Sequence, residues 1–397
     1  MSIARSRRDI PRFWSPIRLT VLGALAVLTL VYGADTTAQT KLSMQKVIVA
    51  YVFPQDRELQ ADEIAVSKLT RINYAFANIQ GGRIVNGFKN DDQNLATLVA
   101  LKRQNPALTV LVSVGGWGWS DSFSDMALTK ASRDVFIASV TDYIERHQLD
   151  GLDIDWEYPG QAGSTNHFRP EDKYNFTLLL KELRKHFRQQ QRGLHRPLYL
   201  TIAAGASSSY LAHTEMDKVQ QYIDTVNLMA YDYYEPGGPT GNHAPLFTDP
   251  DDPKKLSADR SIHEFEQAGV PAEKIVLGVP FYGHQWGDVA DMKHGLFQTG
   301  KALPQGYATY NVISTTMLKN GFDRYWDEAS SVPYLYSPTQ KIFVSYEDAE
   351  SLTLKSRYVI DQHLAGIMFW DYAGDPTGAL LNAIYIGLGQ DAPAKAP

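Results

Sequence analysis

Three carboxylates in the segment 150–159 have the residue types and spacing needed for acid–base chemistry. Asp153, Asp155 and Glu157 alternate with large apolar residues. Alternation is the mark of a β-strand, whose successive side chains point to opposite faces, so the three acids share one face. Neighbouring carboxylates raise one another's affinity for a proton, and one of them can stay protonated near neutral pH. Because burying three unpaired charges is very costly, we expect this face to look into solvent, a pore or a cleft.

The flanking sequence distinguishes a functional cluster from the simpler alternative, a polar edge strand with solvated acids. Residues 113–119 precede the acidic strand, and residues 229–233 follow it. Both segments have one layout, an apolar and β-rich run that ends in polar and aromatic residues. A solvated edge strand gives no reason for this recurrence, so we interpret the acids as part of a site.

Eight apolar runs set the expected architecture. They are residues 46–51, 71–76, 108–113, 150–159, 198–203, 225–229, 275–279 and 366–370. Helical patterns lie between most of them, with apolar residues three or four positions apart. Strands that alternate with helices favour a parallel sheet, and eight such units predict an α/β fold, a closed (β/α)8 TIM barrel. A doubly wound open sheet is the alternative, but no glycine-rich phosphate turn opens a helix.

Two segments depart from this alternation. The gap between the seventh and eighth strands is longer than one helix needs and contains aromatics, glycines and short β-like pieces. We predict a small α+β insertion there, at residues 283–345, and a short polar tail at residues 389–397. Because the carboxyl ends of barrel strands line the site in such folds, side chains far apart in sequence are expected to converge. These are Trp117, Glu157, Tyr231, Asp232 and Trp370.

Together these motifs resemble those of glycoside hydrolase family 18, the chitinase family, over roughly residues 46–388. The family's strand-four pattern Asp-x-x-Asp-x-Asp-x-Glu is met in full, and so are its Ser-x-Gly-Gly and Met-x-Tyr-Asp patterns. The matching residues are Asp150, Asp153, Asp155 and Glu157, then Ser113, Gly115 and Gly116, then Met229, Tyr231 and Asp232, and Trp370 at the strand-eight tryptophan. Residues 280–283 resemble the start of the insertion domain that one branch of the family carries.

The resemblance implies a retaining, substrate-assisted mechanism. Glu157 would be the general acid/base, and the substrate's own 2-acetamido oxygen would attack the anomeric carbon. Asp155 would orient and stabilise the acetamido nitrogen, Tyr231 would hydrogen-bond the acetamido oxygen, and Asp153 would share a proton with Asp155. Spacing alone suggests a different mechanism, since residues two apart on a strand lie about 6.8 Å apart, a separation typical of inverting glycosidases.

The resemblance also implies a set of substrate-binding residues. Aromatic rings are expected to form the floor and walls against which sugar rings stack: Tyr51, Phe76, Trp117, Tyr158 and Trp370. Residues in or beside the matching motifs complete the set: Gly115, Gly116, Gly118, Met229, Ala230 and Asp232. Four aromatics are left open between substrate and core: Trp119, Tyr233, Tyr234 and Trp286. Asp150 has the opposite parity on its strand and is expected to be structural, and Ser113 is expected to support Asp153.

Composition excludes several other classes of protein. The 397 residues contain 38 Lys and Arg against 44 Asp and Glu, a formal net charge of −6. An acidic protein is a poor partner for nucleic acid or an anionic membrane. The absence of cysteine excludes disulfides, thiolate metal sites and a cysteine nucleophile. The ten histidines show no metal-ligand spacing such as His-Glu-x-x-His, so neither a metal nor another cofactor is expected, and we expect a monomer.

The amino terminus predicts export. A basic lead with five arginines between residues 5 and 18 precedes a 13-residue apolar run, residues 19–31, which is too short to span a bilayer comfortably. Small residues follow, so we predict a signal peptide at residues 1–38. The mature protein would be secreted or periplasmic, without membrane attachment. An uncleaved membrane anchor is the alternative.

The sequence thus predicts a secreted glycosidase whose catalytic domain occupies residues 39–397. Its expected substrate is chitin or an oligosaccharide of β-1,4-linked N-acetylglucosamine. A second hypothesis keeps the mechanism but changes the substrate to peptidoglycan or N-glycan cores. A third, a catalytically inactive chitin-binding lectin on the same fold, is disfavoured because Glu157 and all its partners are present.

Overall fold

The computed structural model describes residues 46–164 and 166–390. Within these residues the strands are β1 (Val47–Val52), β2 (Arg71–Gln80), β3 (Arg83–Val85), β4 (Thr109–Gly115), β5 (Gly151–Asp155), β6 (Tyr199–Gly205), β7 (Thr225–Met229), β8 (Ile275–Pro280), β9 (Tyr282–Gly287), β10 (Lys301–Thr309), β11 (Asp323–Asp327), β12 (Val332–Ser337), β13 (Ile342–Ser345) and β14 (Gly366–Trp370). The predicted signal peptide at residues 1–38 lies outside the described residues, and so do residues 391–397 of the predicted tail.

The α-helices mostly follow the barrel strands. They are α1 (Asp91–Ala100), α2 (Phe123–Leu128), α3 (Lys130–His147), α4 (Asp172–Leu194), α5 (Ser208–Ala212), α6 (Met216–Val219), α7 (Ala258–Gln267), α8 (Tyr310–Thr315), α9 (Ala349–Asp361) and α10 (Ala379–Gly387). Over the part of the chain that the structure describes, none of them is long and apolar enough to cross a membrane.

Eight of the strands form a closed barrel. Around the ring their order is β1, β2, β4, β5, β6, β7, β8, β14 and back to β1, and every neighbouring pair is parallel. These strands are the eight predicted apolar runs, so the prediction of a (β/α)8 barrel is confirmed. The short β3 pairs antiparallel with the end of β2 and stays outside the ring.

The first and last barrel strands close the ring at a seam. β1 pairs with β14 in a register that places Val47 opposite Gly366. Gly366 permits the close approach, because a Cβ there would lie 2.0 Å from the Val47 carbonyl oxygen. Next to the seam, the Gln390 side-chain amide donates to the Lys46 carbonyl at 3.5 Å. The two ends of the described chain therefore meet beside this seam.

Alternation along the strands gives the barrel wall two faces. On β5, Leu152 and Ile154 belong to the apolar layer between the barrel and its helices. Asp153 and Asp155 therefore point into the barrel. The helices cover the outer face, and α4 buries an apolar repeat against it: Phe176, Leu179, Leu180, Leu183 and Phe187. The predicted shared face of the acids is thus the inner face of the barrel.

A second, antiparallel sheet lies between β8 and α9. Its strand order is β10, β9, β13, β12, β11, and it occupies the stretch for which the insertion at 283–345 was predicted, with β9 beginning at Tyr282. One apolar cluster on this sheet is built around Trp286 and Phe343, and another around Ile313 and Leu335. Helix α8 follows β10 directly, so the segment has α+β character.

Candidate active site

A cavity of about 860 Å³ opens at the carboxyl ends of the barrel strands, a volume typical of ligand sites. Most of the residues predicted for the site line it: Tyr51, Phe76, Gly115, Trp117, Gly118, Asp155, Glu157, Tyr158, Met229, Tyr231, Asp232 and Trp370. They come from the ends of β1, β2, β4, β5, β7 and β14 and from the loops that follow them. The barrel therefore brings together the strand ends that the sequence argument required to meet.

Three predicted residues lie outside the cavity lining. Asp153 lies deeper in the barrel and is fully buried. Ala230 is also fully buried and packs in the apolar layer. Gly116 has a φ of +76°, and a Cβ there would lie 2.6 Å from the Phe76 ring. Gly116 lets the loop turn tightly against Phe76, so neither Gly116 nor Ala230 is placed for the substrate contact that was predicted.

Asp153 is surrounded by hydrogen-bond donors. Its Oδ2 accepts from the hydroxyls of Tyr51 at 2.8 Å and Ser113 at 2.7 Å. Its Oδ1 accepts from the Thr201 hydroxyl at 2.5 Å and the Asn227 amide at 3.1 Å. Burial raises the pKa of Asp153, and the hydrogen bonds from the three hydroxyls oppose that rise. The expectation that all three acids face solvent or a cleft therefore fails here, because four donors replace water around this carboxylate.

Asp155 lies in the cavity floor, where no donor from residues 46–164 or 166–390 forms a hydrogen bond with its side chain. Only 4% of the residue is exposed, and in the described part of the chain its Oδ1 has no hydrogen-bond partner. Burial raises the pKa of Asp155 well above its ordinary value, and the negative charges of Glu157 and Asp153 raise it further. A buried acceptor without a partner is costly, so a donor on a bound ligand would be favoured at this oxygen.

Glu157 combines burial with access to the cavity. The residue is 8% exposed, and its backbone N–H donates to the Ser120 hydroxyl at 2.8 Å. Burial raises the pKa of Glu157 to about 7, a hydrogen bond from Tyr158 opposes the rise, and the charge of Asp232 adds to it. Neighbouring carboxylates were expected to cause this rise, but burial is its main cause. Glu157 therefore holds a proton near neutral pH, as a general acid must.

Trp370 forms an aromatic platform at the end of β14. Phe76 stacks against it with ring centroids 5.4 Å apart, and the rings of Phe53 and Tyr51 lie 5.4 Å and 5.9 Å from it. These rings hold the indole in place while part of it stays open to the cavity. Trp117 also lines the cavity and is 55% exposed. Flat apolar faces of this kind suit stacking against the rings of a ligand.

A second carboxylate in the cavity lining has a different setting. Asp232 Oδ1 accepts hydrogen bonds from the Tyr282 hydroxyl at 2.6 Å and from His284 Nε2 at 2.8 Å, and it lies 3.6 Å from His243 Nδ1. Burial alone would raise the pKa of Asp232, but His243 and His284 hold it below its ordinary value. Burial lowers the pKa of His243 to about 4, so its ring is neutral at pH 7. We call Asp232, His243 and His284 the wall cluster.

The cavity also contains residues that the sequence reasoning missed. They include Phe53, Phe88, Tyr282, His284, Tyr307 and Met368. Phe53 could have been found by alternation, since it lies two residues beyond Tyr51. His284 could have been found in the same way, two residues beyond the tyrosine of the 280–283 motif. Phe88 and Tyr307 carry no such signal, because packing of their segments decides where they lie.

The four aromatics left open by the sequence divide evenly. Trp119 and Tyr233 line the cavity, whereas Tyr234 and Trp286 are buried in an apolar cluster on the second sheet. Trp286 lies in β9 and packs in the core of the second sheet, whereas Trp119 lies in the loop after β4.

Asp150 lies outside the cavity and is structural, as predicted. It forms ion pairs with Lys102 and Arg196 and accepts a hydrogen bond from the Val110 backbone at 2.8 Å. These contacts fix the start of β5 against its neighbours. The first acid of the motif thus anchors the strand that presents the other three.

Comparison with known proteins agrees with this geometry. The family model described as Glycosyl hydrolases family 18 matches residues 47–375. Chitinase A1 of Niallia circulans is 36% identical over 390 residues, covering 83% of this chain and 56% of that protein. The chain therefore spans little more than half the length of that relative.

Two solved structures share the fold over nearly their whole length. A family 18 N-acetylglucosaminidase from Paenibacillus barengoltzii is 42% identical, with a TM-score of 0.79 over 86% of this chain and 99% of that one. A mutant class V chitinase from Nicotiana tobaccum, in complex with NAG4, is 29% identical, with a TM-score of 0.79 over 87% of this chain and 99% of that one. Because the family match covers most of the chain and its barrel is the one the structure shows, this chain belongs to glycosyl hydrolase family 18.

Proposed function

We propose that the protein is a retaining glycosidase that cleaves polymers or oligomers of β-1,4-linked N-acetylglucosamine, chitin among them, with Glu157 as general acid/base. The observation that carries the proposal is the pair of acids in the cavity floor. Glu157 is buried with its pKa raised to about 7, and Asp155 has a buried oxygen without a partner in the described chain. This pair suits a substrate that needs a proton at its glycosidic oxygen and carries an N–H nearby.

In the first step Glu157 gives its proton to the glycosidic oxygen, and the bond between that oxygen and the anomeric carbon breaks. The carbonyl oxygen of the substrate's 2-acetamido group attacks this carbon and forms a cyclic oxazolinium. Asp155 accepts a hydrogen bond from the acetamido N–H and opposes the developing positive charge, while the Tyr231 hydroxyl donates to the acetamido oxygen. These interactions strengthen as the charge develops, so they favour the transition state over the substrate.

In the second step the Glu157 carboxylate takes a proton from water, and the resulting hydroxide attacks the same carbon and opens the oxazolinium ring. Two displacements at one carbon restore the β configuration. The charge of Asp153 raises the proton affinity of Asp155. A proton shared between these two acids lets Asp155 adjust its charge during the cycle.

The related proteins support the substrate class. The relative from Niallia circulans is a chitinase, the tobacco enzyme was solved with NAG4, and the Paenibacillus enzyme is an N-acetylglucosaminidase. In this chain Trp370 and Trp117 offer faces for N-acetylglucosamine rings. Chitin oligosaccharides are therefore the first substrates to assay.

We place the reaction outside the cytoplasm. The active protein would be a monomer that has lost residues 1–38 and needs neither a membrane nor nucleic acid. The basic and apolar pattern of those residues supports export. Amino-terminal sequencing of protein from the culture medium or periplasm should begin near residue 39, and light scattering should give the mass of one chain. Intact residues 1–38 in a membrane fraction would contradict this part of the proposal.

The anomer released first tests the mechanism. Proton NMR of a chitin oligosaccharide digest, read before mutarotation, should show the β-anomer. Release of the α-anomer, or a covalent sugar trapped on Asp155, would contradict substrate assistance. As a matched substrate, an oligosaccharide without the acetyl group at the cleavage position should not be cleaved, although its glycosidic bond is unchanged.

A further inference from the structure

The wall cluster has the composition of a metal site. Asp232 follows β7, His243 lies between β7 and α7, and His284 is in β9. One ligand atom from each side chain lies within 4.8 Å of the other two. Two imidazoles and a carboxylate are a common ligand set for Zn²⁺. We propose that Asp232, His243 and His284 bind a Zn²⁺ ion in the wall of the cavity.

The separation between Asp232 and His243 fits this ion. Zn²⁺ binds nitrogen and oxygen ligands at about 2.0–2.2 Å, usually in a tetrahedron, which places neighbouring ligand atoms roughly 3.3–3.6 Å apart. Asp232 Oδ1 lies 3.6 Å from His243 Nδ1 and 2.8 Å from His284 Nε2. The first separation already fits. The second is a hydrogen-bond separation, so the His284 ring has to move away from Asp232 by about 0.5 Å to bind the ion.

A second observation points to a missing partner at this place. His243 is fully buried, yet neither of its ring nitrogens has a hydrogen-bond partner in the described part of the chain. Its Nδ1 faces Asp232 at 3.6 Å, a separation too long for a hydrogen bond. Buried polar groups without partners are rare and costly. A metal ion between His243 and Asp232 would give this nitrogen the partner it lacks.

The surroundings hold the ligands in position. The Tyr282 hydroxyl donates to Asp232 Oδ1 at 2.6 Å, in the way that outer-shell groups orient ligating carboxylates. The backbone N–H of His243 donates to the Ser345 hydroxyl at 2.9 Å. Three protein ligands leave a fourth coordination position open. Since Asp232 and His284 line the cavity, water or a ligand can reach that position.

An ion bound here competes with a sugar for the cavity. The ion and its water fill space beside Asp232, so Zn²⁺ should raise KM for a chitin oligosaccharide with little change in kcat, and EDTA should reverse the effect. Only this inhibition depends on the proposed glycosidase activity. Binding of the ion depends on the wall cluster alone.

Metal titration of the full chain tests the site directly. Calorimetry with ZnCl2 should show one ion per chain, and CoCl2 should give the visible absorption bands of tetrahedral Co²⁺. His284→Gln, at a partly exposed position, should weaken Zn²⁺ binding by more than the roughly 10–100-fold that loss of an outer-shell group costs. His243→Asn, which removes the buried ligand, should also weaken Zn²⁺ binding. Thermal melting without metal checks that both variants fold.

His263→Gln is the matched control. His263 Nδ1 lies 3.5 Å from Asp259 Oδ1 on the exposed side of α7, so it repeats the histidine–aspartate pair without a third ligand among the described residues. This variant should bind Zn²⁺ as the wild type does. Equal Zn²⁺ binding by the wild type and His284→Gln would overturn the proposal, and so would a wild type that binds no Zn²⁺. Specific binding in a chain without glycosidase activity would support the site and contradict only the proposed function.

Discussion

The floor and the wall of the cavity have opposite effects on a carboxylate. In the floor, burial raises the pKa of Glu157 to about 7. In the wall, Asp232 has a side chain that is 36% exposed, and its pKa falls below the ordinary value because His243 and His284 outweigh the effect of its partial burial. Burial therefore tends to raise the pKa of a carboxylate, and the hydrogen-bond donors around the carboxylate decide whether the pKa stays raised. A carboxyl group that acts as general acid therefore needs a buried position with few hydrogen-bond donors around it.

The largest effect should come from removing the transferable proton of the floor. Glu157→Gln keeps the shape of the side chain but has no carboxyl proton, so kcat should fall by roughly 10²–10⁴. Calorimetry should show that oligosaccharide binding persists. Glu171→Gln, at an exposed residue before α4, is the control and should keep full activity. Turnover near that of the wild type in Glu157→Gln would move the acid to another residue.

A substitution in the aromatic platform tests whether the cavity floor also contributes to the free energy of substrate binding. Trp370→Ala should weaken oligosaccharide binding by about 1–3 kcal/mol, the value of a large buried apolar surface, which is roughly a 5–150-fold increase in Kd. Thermal stability should change little, because the ring faces the cavity. Trp326→Ala in β11, outside the cavity lining, should leave Kd unchanged. Lost stability with unchanged affinity would make Trp370 a core residue.

Asp153 is buried like Glu157 but is surrounded by hydrogen-bond donors like Asp232. The substitution Thr201→Val tests what one of these donors contributes. The valine keeps the shape but removes the donor at 2.5 Å, so unfolding free energy measured in urea should fall by about 1–3 kcal/mol. The folded pKa of Asp153 is already raised and would rise further. The loss should therefore develop as pH rises through the raised folded pKa of Asp153, above the ordinary aspartate value, and be absent at lower pH. Thr353→Val on α9 should show no such pH dependence.

The smallest effect concerns Tyr158, whose hydroxyl lowers the pKa of Glu157. The rate constant kcat/KM should fall above about pH 7, as Glu157 loses its proton with a pKa of about 7. The hydrogen bond from Tyr158 lowers that pKa, so Tyr158→Phe should move the alkaline limb upward by about half to one pH unit. Tyr210→Phe is the control, because the Tyr210 hydroxyl has no partner among the described residues. An alkaline limb that moves to lower pH in Tyr158→Phe would contradict the assignment of this limb to Glu157.

Much of this fold could be predicted from the sequence because its signals are local. Each barrel strand is a short apolar run, and the two-residue period alone places Asp153, Asp155 and Glu157 on one face. Convergence of Trp370 with Glu157 followed from a general property of barrels.

The rest depends on packing between distant segments. No local pattern shows that Asp153 has four donors from four strands, or that His243 and His284 meet at Asp232. Nor does the sequence show that Trp286 is buried while Trp119 faces the cavity, since the fold of the second sheet decides the first and a loop decides the second. The balance between burial and donors, which sets the pKa of each acid, is therefore beyond the reach of the sequence.

The seam between β1 and β14 also governs the order in which the barrel can assemble. A hydrogen bond across it joins Lys46 and Leu364, 318 positions apart, so the contact order of the closing pair is very high and its formation slow. Until the last strand is available, β1 presents an unpaired edge of the kind that promotes aggregation. A circular permutant that links the adjacent ends and opens a distant surface loop would make this pairing local, and the ring would then close early in folding.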